Sequence, residues 1–194
     1  CFEDLIHNTG SKMQIWERAH TLEHLFHGTP SGIDTGLSVF NDLHAFYPDP
    51  AAAHGKLPGH KKLNARPLYL VAGTIPREGN TKDLVSEISR RLHKGDVFVK
   101  KSLNELGLLS EEAIHLLGDD GCDVPSQLGQ LANKAHAILK SLGLSTDVLD
   151  TLLSAGIHAG ASGGKLSGAG GGGAFYLVAQ NKTDAHHIAA AVKN

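Results

Sequence analysis

The order of the chain predicts an α+β fold in two layers, and three observations carry that prediction. From Leu68 onward the pattern runs strand, several helices, a strand pair and a closing helix, the order that lays helices on one face of a mostly antiparallel sheet. Helical segments show apolar residues every three or four positions, whereas residues 68–72 and 174–179 are short continuous apolar runs set off by Pro67, Gly73 and Gly173. With 41% hydrophobic and 20% charged residues over 194 positions, the chain has the composition of a folded body and the length for one domain or one and a fraction.

Ile15, Ala19, Leu22 and Phe26 recur at helical spacing and predict an amphipathic helix over 15–26. It stops before Gly28 and Pro30, because proline disfavours helical geometry in the residue ahead of it, and a tight polar loop comes next. Residues 37–40 and 43–47 read as a strand pair joined around Asn41-Asp42. The stretch 48–62, with its Pro, Ala, Gly and Lys, reads as an exposed connection, and a boundary there separates domains at 1–60 and 61–194. After the strand at 68–72 and a loop at 74–80, Thr81 is placed to cap a helix running to about His93. Further helices are expected over 111–117, 127–142 and 146–155, the second marked by Leu128, Leu131, Ala135, Ile138 and Leu142. Lys165-Leu166 and 174–179 are strands around a glycine loop, and 184–192 closes the chain as a helix.

Charge and composition remove several classes of partner. Eighteen basic and 20 acidic residues give a net charge of -2 with no run of five like charges, which is no footprint for nucleic acid. The 13 histidines are scattered without finger-like metal spacing, so His24, His27, His186 and His187 read as surface or core residues. Two cysteines, Cys1 and Cys122, make no disulfide framework and point to a reducing compartment, the cytoplasm. No apolar run of about 18 residues is present to span a membrane. The chain begins at Cys1 without methionine, as a piece of a longer polypeptide would.

Gly168-Ala169-Gly170-Gly171-Gly172-Gly173 satisfies the three-glycine dinucleotide pattern, but that pattern needs a helix after it, and 174–178 is strand-like. The loop therefore joins two strands. Glycines let a backbone come close to a phosphate or to a second phosphate-binding loop; the other reading is a flexible turn. Five glycines in six residues exceed the one or two that a hairpin needs, and each costs roughly 0.5–1 kcal/mol relative to Ala, which favours the functional reading. Lys165 either points a cation at the same place or is a solvated strand residue.

Glu23 falls at the edge of the apolar helical stripe, and Asp34 falls in the loop after the helix, where Gly32 permits an unusual turn. Two acids that converge suit phosphoryl transfer to an alcohol, since one carboxylate holds a hard cation while the other handles a hydroxyl. Taken alone, Glu23 reads better as a solvated helix residue and Asp34 as a turn cap, since most acids are exposed.

His27-Gly28-Thr29-Pro30-Ser31-Gly32-Ile33-Asp34 resembles the catalytic-loop motif, in its mevalonate form, of the kinase superfamily named for galactose, homoserine, mevalonate and phosphomevalonate. Lys165-Leu166-Ser167 and the glycines after it resemble that superfamily's third motif. Thr74-Ile75-Pro76-Arg77, Asn80-Thr81-Lys82, Leu142-Gly143-Leu144-Ser145-Thr146, Asn133 and His136 are similar to further family segments, so the resemblance covers essentially the whole chain.

The resemblance implies the tail of a ribosomal-protein-S5-like N-terminal domain and, after it, a ferredoxin-like C-terminal domain. It also implies ATP-dependent phosphorylation of the primary hydroxyl of mevalonate, with Mg²⁺, in isoprenoid precursor synthesis. By motif Asp34 matches the catalytic aspartate and Glu23 the magnesium-ligand glutamate, while Ser31, Gly32 and Thr81 fall at the substrate. Lys165, Ser167, Gly168, Ala169, Gly170, Gly171, Gly172 and Gly173 fall at the phosphates. Ser31 as a loop stabiliser and Thr81 as a cap stay open. A related kinase for phosphomevalonate or a sugar, and an inactive binding or regulatory module of the same fold, are the alternatives. The family's lysine motif and its Gly-Leu-Gly-Ser-Ser loop are absent, so they are expected upstream of Cys1, on the same or another chain. The chain alone is then expected to be inactive, and a homodimer is allowed.

Overall fold

The computed structural model describes residues 10–25, 30–47, 57–77, 81–118 and 123–193, without the side chains of Thr81 and Lys82. His27, Gly28, Thr29, Cys1 and Cys122 lie outside the described residues. The chain divides into two compact units, Cys1–Asn64 and Ala65–Asn194.

In the first unit Ser11 starts α1 (Lys12–Glu23) through a reciprocal box: Gln14 N–H donates to Ser11 Oγ at 3.3 Å, and Ser11 N–H donates to Gln14 Oε1 at 2.9 Å. The helix is shorter than the predicted 15–26, and its buried face differs from the predicted stripe. Trp16 and His20 are buried, whereas Leu22 is 45% exposed. An indole removes about 200 Å² from water, worth roughly 5 kcal/mol at about 25 cal/mol/Å², more than a leucine contributes. The helix therefore turns to bury Trp16, which meets Phe40, Phe46 and His60 edge-on. Glu23, seven residues on from Trp16, shares that face and is more sheltered than the stripe edge implied.

Residues 37–40 are not a strand: Ile33–Phe40 is a second helix, α2. Its β-branched residues suggest a strand, but Gly32, Gly36 and Phe40 are buried at four-residue spacing, and Gly32, at φ +74°, turns the chain into the helix. A Cβ on Gly36 would stand 2.9 Å from both Trp16 and Phe46, so a side chain there would displace the indole. Asn41 in the left-handed region ends the helix. Strand β1 (His44–Tyr47) then pairs antiparallel with β2 (Gly59–Lys62), His44 opposite Lys62 and Tyr47 opposite Gly59. The partner of β1 thus comes from the stretch read as an exposed connection, because a polar Gly-His-Lys-Lys strand carries no apolar alternation to announce it.

The second unit holds β3 (Tyr69–Ile75), α3 (Thr81–His93), α4 (Val97–Leu117), α5 (Val124–Ser141), α6 (Asp147–His158), β4 (Gly163–Leu166), β5 (Gly173–Ala179) and α7 (Lys182–Ala191). Among the described residues its sheet runs β3-β5-β4 and is antiparallel throughout, an α+β arrangement. Leu149 and Leu153 of α6 and Ile188 of α7 pack on Val71, Leu166, Phe175, Leu177 and Ala179 of the sheet. Thr81 is the first residue of α3 and so lies inside the helix rather than at its cap. Helix α4 begins at Val97 rather than Glu111: Asp96 Oδ1 accepts from Phe98 and Val99 N–H at 3.0 and 3.2 Å, a cap strong enough to start a helix on β-branched residues. No helix among the described residues is long and apolar enough to cross a membrane.

Candidate active site

In the first unit the end of α1 meets the start of α2. Trp16 Nε1–H donates to the buried Gly32 carbonyl at 2.8 Å, which ties the turn before α2 to the core. A Cβ on Gly32 would lie 3.2 Å from His20 Nδ1, so the turn rests directly on that ring. Glu23, with its side chain 15% exposed, sets Oε2 3.6 Å from His20 Nδ1, and Thr35 Oγ1 reaches the same oxygen at 3.4 Å. Thr35 also lies 3.1 Å from the Gly32 carbonyl. Ser31 Oγ accepts from Ile33 N–H at 3.3 Å, a contact that stabilises the turn.

Asp34 sits in the first turn of α2, not in a loop, beside Thr35 and exposed. Its carboxylate makes no hydrogen bond among the described residues, while its backbone carbonyl accepts from Ser38. A carboxylate in a first helical turn faces favourable peptide dipoles, and an exposed one is available to a ligand. Through Thr35 the structure links Glu23 to the turn that carries Asp34. No group of three or more His, Cys, Asp or Glu side chains able to hold a metal exists among the described residues. The arrangement fits Mg²⁺ held in the manner of a nucleotide complex, with one protein carboxylate and the other ligands from phosphate and water. Glu23 offers that carboxylate, since His20 and Thr35 engage only its Oε2.

In the second unit the glycine loop joins β4 to β5, as predicted, and it is no flexible turn. Gly168, Gly170, Gly171, Gly172 and Gly173 all have positive φ. Gly171 N–H donates to Leu144 O at 2.9 Å, and Ser167 N–H to Ala174 O at 2.8 Å. A Cβ on Gly170 would stand 2.2 Å from Leu144 O, and one on Gly172 2.4 Å from Pro76 O. The loop is thus clamped between the turn before α6 and the segment after β3. Ala169, the loop's one non-glycine residue, is half-buried. Arg77, absent from the predicted site residues, comes beside the loop, its Nε 3.0 Å from the place of a Gly173 Cβ. In the sequence it was marked only as part of the family-like segment Thr74-Ile75-Pro76-Arg77, with no role attached.

Lys165 is largely buried; its Nζ donates to Leu166 O at 2.6 Å and lies 5.5 Å from the Tyr176 ring centroid. Burial pushes the Lys165 ammonium below its ordinary pKa and the Tyr176 phenol above its own.

Beside the loop, Asp150 gathers three donors. His136 Nε2 lies 2.9 Å and Ser145 Oγ 2.5 Å from Oδ1, and Lys140 Nζ 2.7 Å from Oδ2. Burial alone would raise Asp150, but the bonds from Lys140, Ser145 and His136 outweigh it and hold the carboxyl below its ordinary 3.8. A carboxyl depressed on folding contributes stability that is complete above its unfolded pKa and lost as pH falls through the folded value. The expected result is that Asp150→Asn lowers the melting temperature at about pH 6 and that the gap from wild type narrows below about pH 4. A gap independent of pH, measured by thermal melts in parallel, would count against this.

Residues 124–194 match the family described as GHMP kinases C terminal. A mevalonate kinase of Pyrococcus abyssi is 33% identical over 185 residues, 94% of this chain and 52% of the relative. The Homo sapiens mevalonate kinase is 31% identical over 159 residues, 78% and 37% of the two chains. The chain spans about half the length of the curated relatives it matches. Among solved structures, L. major mevalonate kinase in complex with R-mevalonate is similar with TM-score 0.82 at 23% identity, over 95% of this chain and 55% of that one. Lactococcus lactis galactokinase with galactose is similar with TM-score 0.68 at 19% identity, over 98% and 57%. These two likenesses speak to fold alone.

Proposed function

Because the chain carries a GHMP kinase C-terminal domain, we propose that the protein containing it transfers the γ-phosphoryl group of ATP to the primary hydroxyl of mevalonate. The observation that carries this reading is Asp34. It lies exposed at the head of α2, within a Pro-Ser-Gly-Ile-Asp turn tied by Trp16 and Thr35 to Glu23, in a chain whose curated relatives are mevalonate kinases. In this reading the first unit is the end of an S5-like domain, and the second is the ferredoxin-like domain.

Asp34 orients the substrate hydroxyl and accepts its proton as the oxygen attacks phosphorus; an exposed carboxylate with no hydrogen bond among the described residues is suited to that task. Glu23 would hold Mg²⁺, which supplies charge neutralisation at the phosphates. Thr35 and His20 keep the Glu23 carboxylate oriented. By motif, Ser31 and Gly32 of the first unit and, separately, Thr81 of the second are assigned to the alcohol. Gly168, Gly170, Gly171, Gly172 and Gly173 present backbone to the phosphates with Ser167, and Lys165 adds a nearby cation. The family's main ATP-phosphate loop has no counterpart in these residues, so the activity is proposed for the whole protein, with the other half of the site on the same or another chain.

The test is ADP release by the intact purified protein with mevalonate, phosphomevalonate or galactose as acceptor. Turnover with mevalonate above the other two supports the proposal. Preference for another acceptor reassigns the substrate, and turnover with none leaves a binding or regulatory module.

A further inference from the structure

The geometry points to His136, Asp150 and Ser145 as positioning residues that set the glycine loop in place. Among the described residues β4 has a strand neighbour, β5, on one side only, so its outward N–H groups take partners from elsewhere. Helix α5 supplies them: Asn133 Oδ1 accepts from Gly164 N–H at 2.9 Å, and His136 Nδ1 lies 3.4 Å from Leu166 N. An imidazole that accepts at Nδ1 carries its proton on Nε2, which donates to Asp150. Asp150 in turn holds Ser145, whose neighbour Leu144 accepts from Gly171 N–H.

These bonds close a circuit. Leu166, two residues before Gly168, is connected through His136, Asp150 and Ser145 to Leu144, which touches the middle of the same loop. The loop is therefore gripped at its start and at its centre by one network. The side chains of His136 and Asp150 are 14% and 19% exposed, so water competes for their bond only in part. Asn133 is a built-in contrast. It sits on the same helix and serves the same edge, yet has no bond to Asp150 among the described residues.

That the loop so held contacts phosphate rests on the proposed kinase function. Two readouts on the intact protein separate the claims: hydrogen exchange of the Gly171 amide, and the KM for ATP against kcat. Ser145→Ala and His136→Ala are expected to speed Gly171 exchange about tenfold, the change that one lost hydrogen bond of ordinary net strength permits. Ser145→Thr, which keeps the hydroxyl, should restore protection. Asn133→Ala should speed exchange at Gly164 and leave Gly171 near wild type. If Gly171 exchange is unmoved by Ser145→Ala and His136→Ala, or moves equally with Asn133→Ala, the positioning role is overturned. If exchange quickens and the KM for ATP rises while kcat changes less, both claims stand. If exchange quickens and the KM is unchanged, the positioning role stands and the phosphate role of the loop falls.

Discussion

Asp34→Asn is expected to lower turnover of the intact protein by roughly two to four orders of magnitude, the range that a positioned proton acceptor contributes. Asparagine keeps the shape and one acceptor oxygen but cannot take a proton at neutral pH. The change gives up the carboxylate's interaction with the helix dipole, worth roughly 0.3–1 kcal/mol at an exposed position, so the fold should lose little. The decisive comparison is kcat for ADP release, together with a melting curve on the same preparation. A variant that melts like wild type and turns over within about threefold of it would remove Asp34 from the chemistry. Thr35→Val separates positioning from chemistry. It removes the hydroxyl that reaches Glu23 and leaves Asp34 intact, so any loss should be smaller.

Gly170→Ala is expected to cost about 2–5 kcal/mol of stability. Holding a non-glycine residue at positive φ costs roughly 1–2 kcal/mol, and forcing a methyl into a packed position costs roughly 1–3 kcal/mol more. The obstacle is the Leu144 carbonyl, 2.2 Å from the new Cβ, and that backbone is held by the bond from Gly171 and cannot swing aside as a side chain would. Gly168→Ala is the control, since φ is also positive there, at +85°, but nothing lies within 4 Å of a Cβ. It should incur the backbone cost alone. Denaturant unfolding of both variants reads the difference, and equal losses would show that the contact with Leu144 contributes nothing. Activity should fall further in Gly170→Ala than in Gly168→Ala, because only the former shifts the loop.

How much of the fold and site the sequence makes legible depends on the range of the interactions. The helices at 127–142 and 146–155 and the strands flanking the glycines were legible, because their apolar spacing reflects the core they face. Rejecting a dinucleotide site was sound for the same reason: the glycines lead into strand β5 and not into a helix. Residues 37–40 misled, because Leu37, Val39 and Phe40 form a short apolar run that suits a strand, while the helix depends on the turn at Gly32 and on room at Gly36 for an indole. Glu23 and Asp34 could be named from the motif. The contacts that orient Glu23, from His20 and Thr35, could not, since they arise only when α1 and α2 meet. The same holds for His136: its partners at Asp150 and Leu166 lie 14 and 30 residues away, and no local pattern encodes such pairings.

Trp16 is the one tryptophan in these 194 residues, and it is fully buried with its N–H on the Gly32 carbonyl. Its emission therefore reports on the corner that presents Asp34. Ligand entry that pulls Gly32 away from the indole weakens that bond and alters the polarity around the ring, so intensity and peak wavelength change together. Under the proposed function, the corner that carries Asp34 thus contains an optical probe, and a change in Trp16 emission on adding mevalonate is the expected sign of acceptor binding.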